Sequence, residues 1–123
     1  EYYERYWSLL KIMFFNLAFA HTIAIILNVM VRTHPEQNWQ VTRGISETWW
    51  GERYIWSYYW ATTIMLTVGF GDITPTTYQE AVWVVVIEIV SCIAFSYNIS
   101  CLGTLIANIR AQGDLINKNR KVF

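Results

Sequence analysis

Thr67-Val68-Gly69-Phe70-Gly71-Asp72 is a run whose chemically useful atoms belong to the main chain. A peptide carbonyl is a neutral, fixed oxygen dipole, and a ladder of them can replace the water stripped from a potassium ion. Successive carbonyls turn toward one axis only if alternate residues take backbone angles that side chains disfavour. Gly69 and Gly71 supply that freedom. Thr67 adds a hydroxyl below the ladder. Four copies around an axis would stack the oxygens of Thr67, Val68, Gly69, Phe70 and Gly71 into rings, with Asp72 anchoring the outer mouth. The chemistry is dehydration and coordination of a cation, with no covalent step. No acid–base pair, nucleophile triad or metal-spaced His/Cys cluster points to an enzyme, and neither a catalytic cofactor nor a nucleic-acid partner is expected.

A glycine–aromatic–glycine triplet also occurs in ordinary loops, so the elements around it decide what it can do. The chain has 123 residues, one domain by length, but 54% are hydrophobic and only 15% charged. Lys11 and Arg32 bracket a stretch free of Asp, Glu, Lys and Arg, and from Ala81 to Ile109 the only such residue is Glu88. Stretches of about twenty apolar residues are what a hydrocarbon core about 30 Å thick requires. Two membrane helices with a loop between them follow. Six Lys/Arg flank the spans (Arg5, Lys11, Arg110, Lys118, Arg120, Lys121) against three in the loop (Arg32, Arg43, Arg53). That bias places both ends in the cytoplasm.

Residues 1–10, mixed polar and aromatic, suit an interfacial helix, and 9–31 an outer membrane helix. Residues 32–54, broken by Pro35, Gly44 and Gly51 and carrying Trp39, Trp49 and Trp50, form an outer loop at the depth where Trp favours the headgroup belt. Residues 55–66 make a helix too short to cross, whose negative dipole end would point at the cavity beneath 67–72. Non-helical backbone at that depth is tolerated only when buried in protein or lining water. One copy cannot enclose its own loop, so several subunits are expected. Residues 77–109 form an inner helix longer than the hydrocarbon core, and 110–123 begin a cytoplasmic linker. The chain opens on Glu1-Tyr2-Tyr3-Glu4 without an initiator Met and reads as an excerpt of a longer polypeptide. Cys92 and Cys101, about 13 Å apart along one helix, read as packing residues rather than a disulfide.

Trp60-Ala61-Thr62-Thr63-Ile64-Met65-Leu66, then Thr67 to Asp72, then Ile73-Thr74-Pro75, resembles the pore loop of the tetrameric potassium-channel superfamily. Ala20-His21, Ala94-Phe95-Ser96-Tyr97, Leu102-Gly103 and Leu105-Ile106 are similar to channels bearing a cyclic-nucleotide-binding domain: ether-à-go-go-like, plant inward-rectifier and cyclic-nucleotide-gated types. No ladder of basic residues at every third position marks a voltage-sensing helix, and the Pro-x-Pro kink of animal voltage-gated channels is missing. The resemblance implies an all-α membrane protein with two transmembrane helices, a re-entrant pore helix and a selectivity-filter loop, assembled as a homotetramer or with homologous subunits. It implies passive potassium conduction, most naturally at the plasma membrane, with voltage-sensor and cytoplasmic domains elsewhere in the polypeptide and lipid around it. Pacemaker-type relatives carry Cys at the Thr67 position and lose Asp72, and nonselective cyclic-nucleotide-gated relatives lose the glycine–aromatic–glycine. Potassium selectivity is therefore expected over the rival readings, a weakly selective cation channel or a non-conducting membrane subunit.

Single residues refine that expectation. Phe70 stands where Tyr is commoner, and the lost hydroxyl removes a bond behind the filter worth about 0.5–1.5 kcal/mol. Trp60 is the aromatic expected there, and readier inactivation should result. Tyr59 falls where many relatives carry a Trp that bonds the filter Asp, and Thr63 belongs to the same supporting group. Glu88, at membrane depth, has two readings: a protonated acid bonded behind the pore helix to Thr62 or Thr63, or a negative ring facing the cavity. Cys92, Phe95, Ile99 and Gly103 recur along one helical stripe and would line the cavity and gate, with ordinary helix packing as the alternative. His21 reads as a neutral, hydrogen-bonded interior histidine, ahead of any pH sensor.

Overall fold

The computed structural model describes residues 2–122; Glu1 and Phe123, the ends of the expected interfacial helix and linker, lie outside the described residues. The order is α1 (Tyr2–Met30), a 3-10 turn (Val31–Thr33), α2 (Trp39–Arg43), α3 (Trp50–Met65) and α4 (Tyr78–Val122), with no strand among the described residues. Neither Gly nor Pro occurs in α1, so nothing interrupts its hydrogen-bond ladder. The separate interfacial helix expected over 1–10 is instead the start of that one helix.

The short helix α2 is set by its ends. Asn38 accepts from the backbone N–H groups of Gln40 and Val41, and Gly44 closes the helix in the left-handed region at φ 77°. Helix α3 starts at Trp50 rather than near residue 55. Trp49 turns the chain in from extended backbone, and Glu52 in the first turn complements the helix dipole. Gly51 makes this entry possible: a Cβ there would lie 2.2 Å from the Trp49 ring. At 16 residues α3 is about 24 Å long, short of a bilayer crossing. Helix α4 does not stop near 109 but continues to Val122, 45 residues or about 68 Å.

Two helical stretches, Tyr3–Thr33 and Tyr78–Val122, are long and apolar enough to span a membrane. Only 22% and 28% of their apolar windows are buried within the protomer, too little for the core helices of a water-soluble domain. The buried core lies in the half that holds the 3-10 turn, α2 and α3. There Ala20, Ala24 and Ala61, all at 0% exposure, let α1 and α3 approach closely, and Leu27, Trp39, Val84 and Ile87 fill the space around them. Small residues at such contacts are what van der Waals packing in lipid demands. Asn28 ties three elements together: its amide donates to the Ser57 hydroxyl at 2.7 Å, and its carbonyl accepts from Gln40 at 2.8 Å. In the opposite half α1 and α4 meet through Asn98, whose amide donates to Asn16 Oδ1 at 2.6 Å.

Candidate ion-coordination site

The helix α3 delivers the chain into 67–72 through its own C-cap. Val68 N–H donates to the Thr63 carbonyl at 2.9 Å, and Thr67 N–H donates to the Ile64 carbonyl at 3.1 Å. With Met65 the last helical residue, these are the paired bonds of a Schellman cap. Thr67 occupies the left-handed position that glycine usually fills, at φ 59°. A non-glycine residue there costs about 1–2 kcal/mol, and backbone strain of this kind collects at functional sites.

The positive φ then recurs at every second residue. Gly69 has φ 58° and Gly71 φ 74°, while Val68 and Phe70 keep negative φ. Neither glycine has a neighbour within 4 Å of a built Cβ, so backbone angle rather than space selects glycine at both. This alternation is the condition under which consecutive carbonyls can line one axis.

Behind the loop stands a chain of contacts from α3 to α2. The Tyr59 hydroxyl donates to Asp72 Oδ2 at 2.9 Å. Its ring lies parallel to Phe70, with centroids 6.3 Å apart and planes 4° from each other. Trp56 meets Tyr59 edge-on at 5.6 Å. The Arg43 guanidinium sits 3.7 Å above Trp56, with Nη1 3.9 Å from the same Asp72 oxygen. The Tyr59 phenol is raised above its ordinary pKa, first by the hydrogen bond to Asp72, then by burial and by the Asp72 charge, with Arg43 opposing. The Arg43–Asp72 pair is partly exposed and adds little by itself. Its worth lies in the geometry shared with Trp56.

The profile of the ion transport protein family matches residues 4–121. The chain belongs to that family. It is a membrane domain of a voltage-gated-type ion channel, and the family is one of channels rather than enzymes. A comparison with curated proteins finds no match.

Within this ion-transport domain several expected residues stand elsewhere. Trp60 is 5% exposed and packs edge-on against Trp39 at 5.4 Å, in the core between α3 and α2, and the α3 ring that stacks on Phe70 within the protomer is that of Tyr59. One residue is about 100° of helix, which turns Trp60 away from Tyr59 and onto the side of α3 that meets Trp39. Thr63 supports the loop through its carbonyl, which accepts from Val68 and from Gly69 at 3.2 Å; its hydroxyl donates to the Trp60 carbonyl. Glu88 bonds to neither Thr62 nor Thr63, and the Thr62 hydroxyl donates to Tyr59 instead. Glu88 is exposed on the protomer, one turn from Cys92 on the stripe that continues through Phe95, Ile99 and Gly103. That stripe lies about a quarter turn from the face of α4 that Val84, Ile87, Ser91 and Asn98 bury against the other helices. His21 is exposed on the protomer rather than interior, and its Nδ1 pairs with the Tyr54 hydroxyl of α3.

Glu80 is a buried carboxylate that braces this region. It is 2% exposed, and its two oxygens accept from Trp39 N–H, Thr76 N–H and the Thr76 hydroxyl at 3.2, 2.9 and 3.0 Å. The Thr77 hydroxyl in turn accepts from Glu80 N–H at 3.2 Å. Thr77-x-x-Glu80 has the spacing of a capping box, a signal that was open to be read. Glu80 thereby ties the start of α4, just past residues 67–72, to the start of α2, which carries Arg43. Arg43 and Trp56 had no such signal, since their meeting depends on how α2 folds over α3.

Proposed function

We propose that this domain is the pore subunit of a potassium-selective channel, conducting passively as a tetramer at the plasma membrane. The observation that carries the reading is the positive φ at Thr67, Gly69 and Gly71 in alternation with negative φ at Val68 and Phe70. In four copies, carbonyls of Thr67 to Phe70 and the Thr67 hydroxyl would replace the hydration shell of a potassium ion. Asp72, fixed by Tyr59 and Arg43, would hold the outer mouth. Voltage, a cytoplasmic ligand domain of the same polypeptide, or both would gate the pore.

Single-channel recording of the reconstituted protein in opposed potassium and sodium gradients tests this. The reversal potential should follow the potassium gradient. A reversal potential shifted by sodium would favour a weakly selective cation pore. Absence of current from assembled tetramers would favour a non-conducting membrane subunit.

A further inference from the structure

Where the end of α1, the helix α2 and the first turns of α3 meet, they enclose a cavity of about 350 Å³. Two guanidiniums, those of Arg32 and Arg53, line it. Neither has an ion-pair or hydrogen-bond partner among the described residues. The Arg53 Nε is shut off from solvent with no acceptor. A charged donor buried without an acceptor is costly, and an oxygen anion against the rest of the guanidinium would offset part of that cost. Tyr54 also lines it, with its hydroxyl paired to His21, while Ile25 and Val29 form an apolar side.

Depth narrows the identity of that anion. Arg32 ends the charge-free stretch that follows Lys11, about 30 Å of helix. The cavity therefore sits where hydrocarbon gives way to headgroups. Trp50, also on its lining and 72% exposed, is the residue type that favours this level. A guanidinium pair matches phosphate geometry, and an apolar wall on the membrane side matches the start of an acyl chain.

We propose that the cavity binds the phosphodiester of an outer-leaflet phospholipid, its oxygens taken by Arg32 and Arg53 and its first methylenes lying along Ile25 and Val29. The site rests on the membrane reading above but not on potassium selectivity. It would fasten α1, α2 and α3 together from the lipid side.

The full polypeptide, reconstituted in vesicles of phosphatidylcholine doped with phosphatidylglycerol, supplies the test through vesicle flotation and native mass spectrometry of retained lipid. The wild-type protein should float with the vesicles and carry bound phospholipid. Arg32→Gln with Arg53→Gln should float equally well yet retain about tenfold less lipid, the loss expected for charge-assisted phosphate contacts. Arg53→Lys, which keeps the charge but not the fork, should fall between them and guards against a misfolded double variant. Equal retention in all variants overturns the site. So does chemical cross-linking of Arg53 to a carboxylate of a neighbouring copy, which would make the cavity a subunit contact. Failure to float overturns the membrane reading itself.

Discussion

The backbone N–H of Val68 donates to the carbonyl of Thr63 at 2.9 Å, so the cap of α3 and the loop 67–72 form one hydrogen-bonded unit. Thr67, the first residue of the proposed coordination ladder, is also the left-handed residue of that cap. Stability and coordination therefore make opposite demands at one position. Thr67→Gly should relieve the strained angle and raise stability by about 1 kcal/mol, while removing the hydroxyl beneath the carbonyl ladder. Thermal unfolding should show a higher midpoint, and bi-ionic reversal potentials a weaker preference for potassium over sodium. A lower midpoint would mean that the left-handed threonine is not strained.

Tyr59 should give the outer mouth an alkaline limit. Its phenol is raised by the hydrogen bond to Asp72, so the neutral form is favoured when folded. The contribution is fully present below the ordinary tyrosine value of about 10 and is lost as pH rises through the raised value. Inactivation should therefore be steady up to about pH 10 and quicken above it. Tyr59→Phe keeps the ring against Phe70, removes the bond, and should inactivate quickly at neutral pH with no alkaline step. Persistence of that step in Tyr59→Phe would rule Tyr59 out as its origin.

Phe70→Tyr adds back a hydroxyl beside an aromatic wall already built from Tyr59 and Trp56. Slower inactivation under sustained depolarisation is expected, by a several-fold change in rate. Identical kinetics in the two proteins would dispose of the missing hydroxyl as a cause.

Glu80→Ala would leave three donors from Trp39 and Thr76 without their acceptor. A loss of about 3 kcal/mol or more is expected, seen as a lower unfolding midpoint and reduced membrane expression. Glu80→Gln keeps an acceptor and should lose less. Equal effects of the two would show that charge, not hydrogen bonding, holds the joint.

Glu88 shares a helical stripe with Cys92, and the Thr62 and Thr63 hydroxyls have other partners. Glu88→Gln should lower unitary potassium conductance while leaving tetramer yield intact. Loss of assembly with normal conductance in the surviving channels would return Glu88 to a packing role.

What could be read in advance followed from strong, local constraints. Charge-free stretches of bilayer length announced α1 and α4, and Gly69 and Gly71 announced unusual backbone angles. Thr67 gave no such notice, because its side chain argues against the angle that the cap of α3 imposes. The start of α3 was hidden by Gly51, which looks like a helix breaker but makes room for Trp49. The sequence neighbours of Trp60 suggest a place behind residues 67–72, but one residue of helical rotation separates it from Tyr59, and the core claims it. Asn16 and Asn98 are 82 residues apart, so their bond depends on the register of two long helices and has no local signature.

The continuity of α4 has a mechanical meaning. From Glu80 to Arg120 the chain is one rod about 60 Å long, clamped at its outer end by the carboxylate that grips Trp39 and Thr76. A rod without a joint passes torque on instead of absorbing it. A tug on the basic end would reach the clamp as tension, and only Gly103 and Gly113, which lack a Cβ to stiffen them, offer a place where the load could be released as a bend.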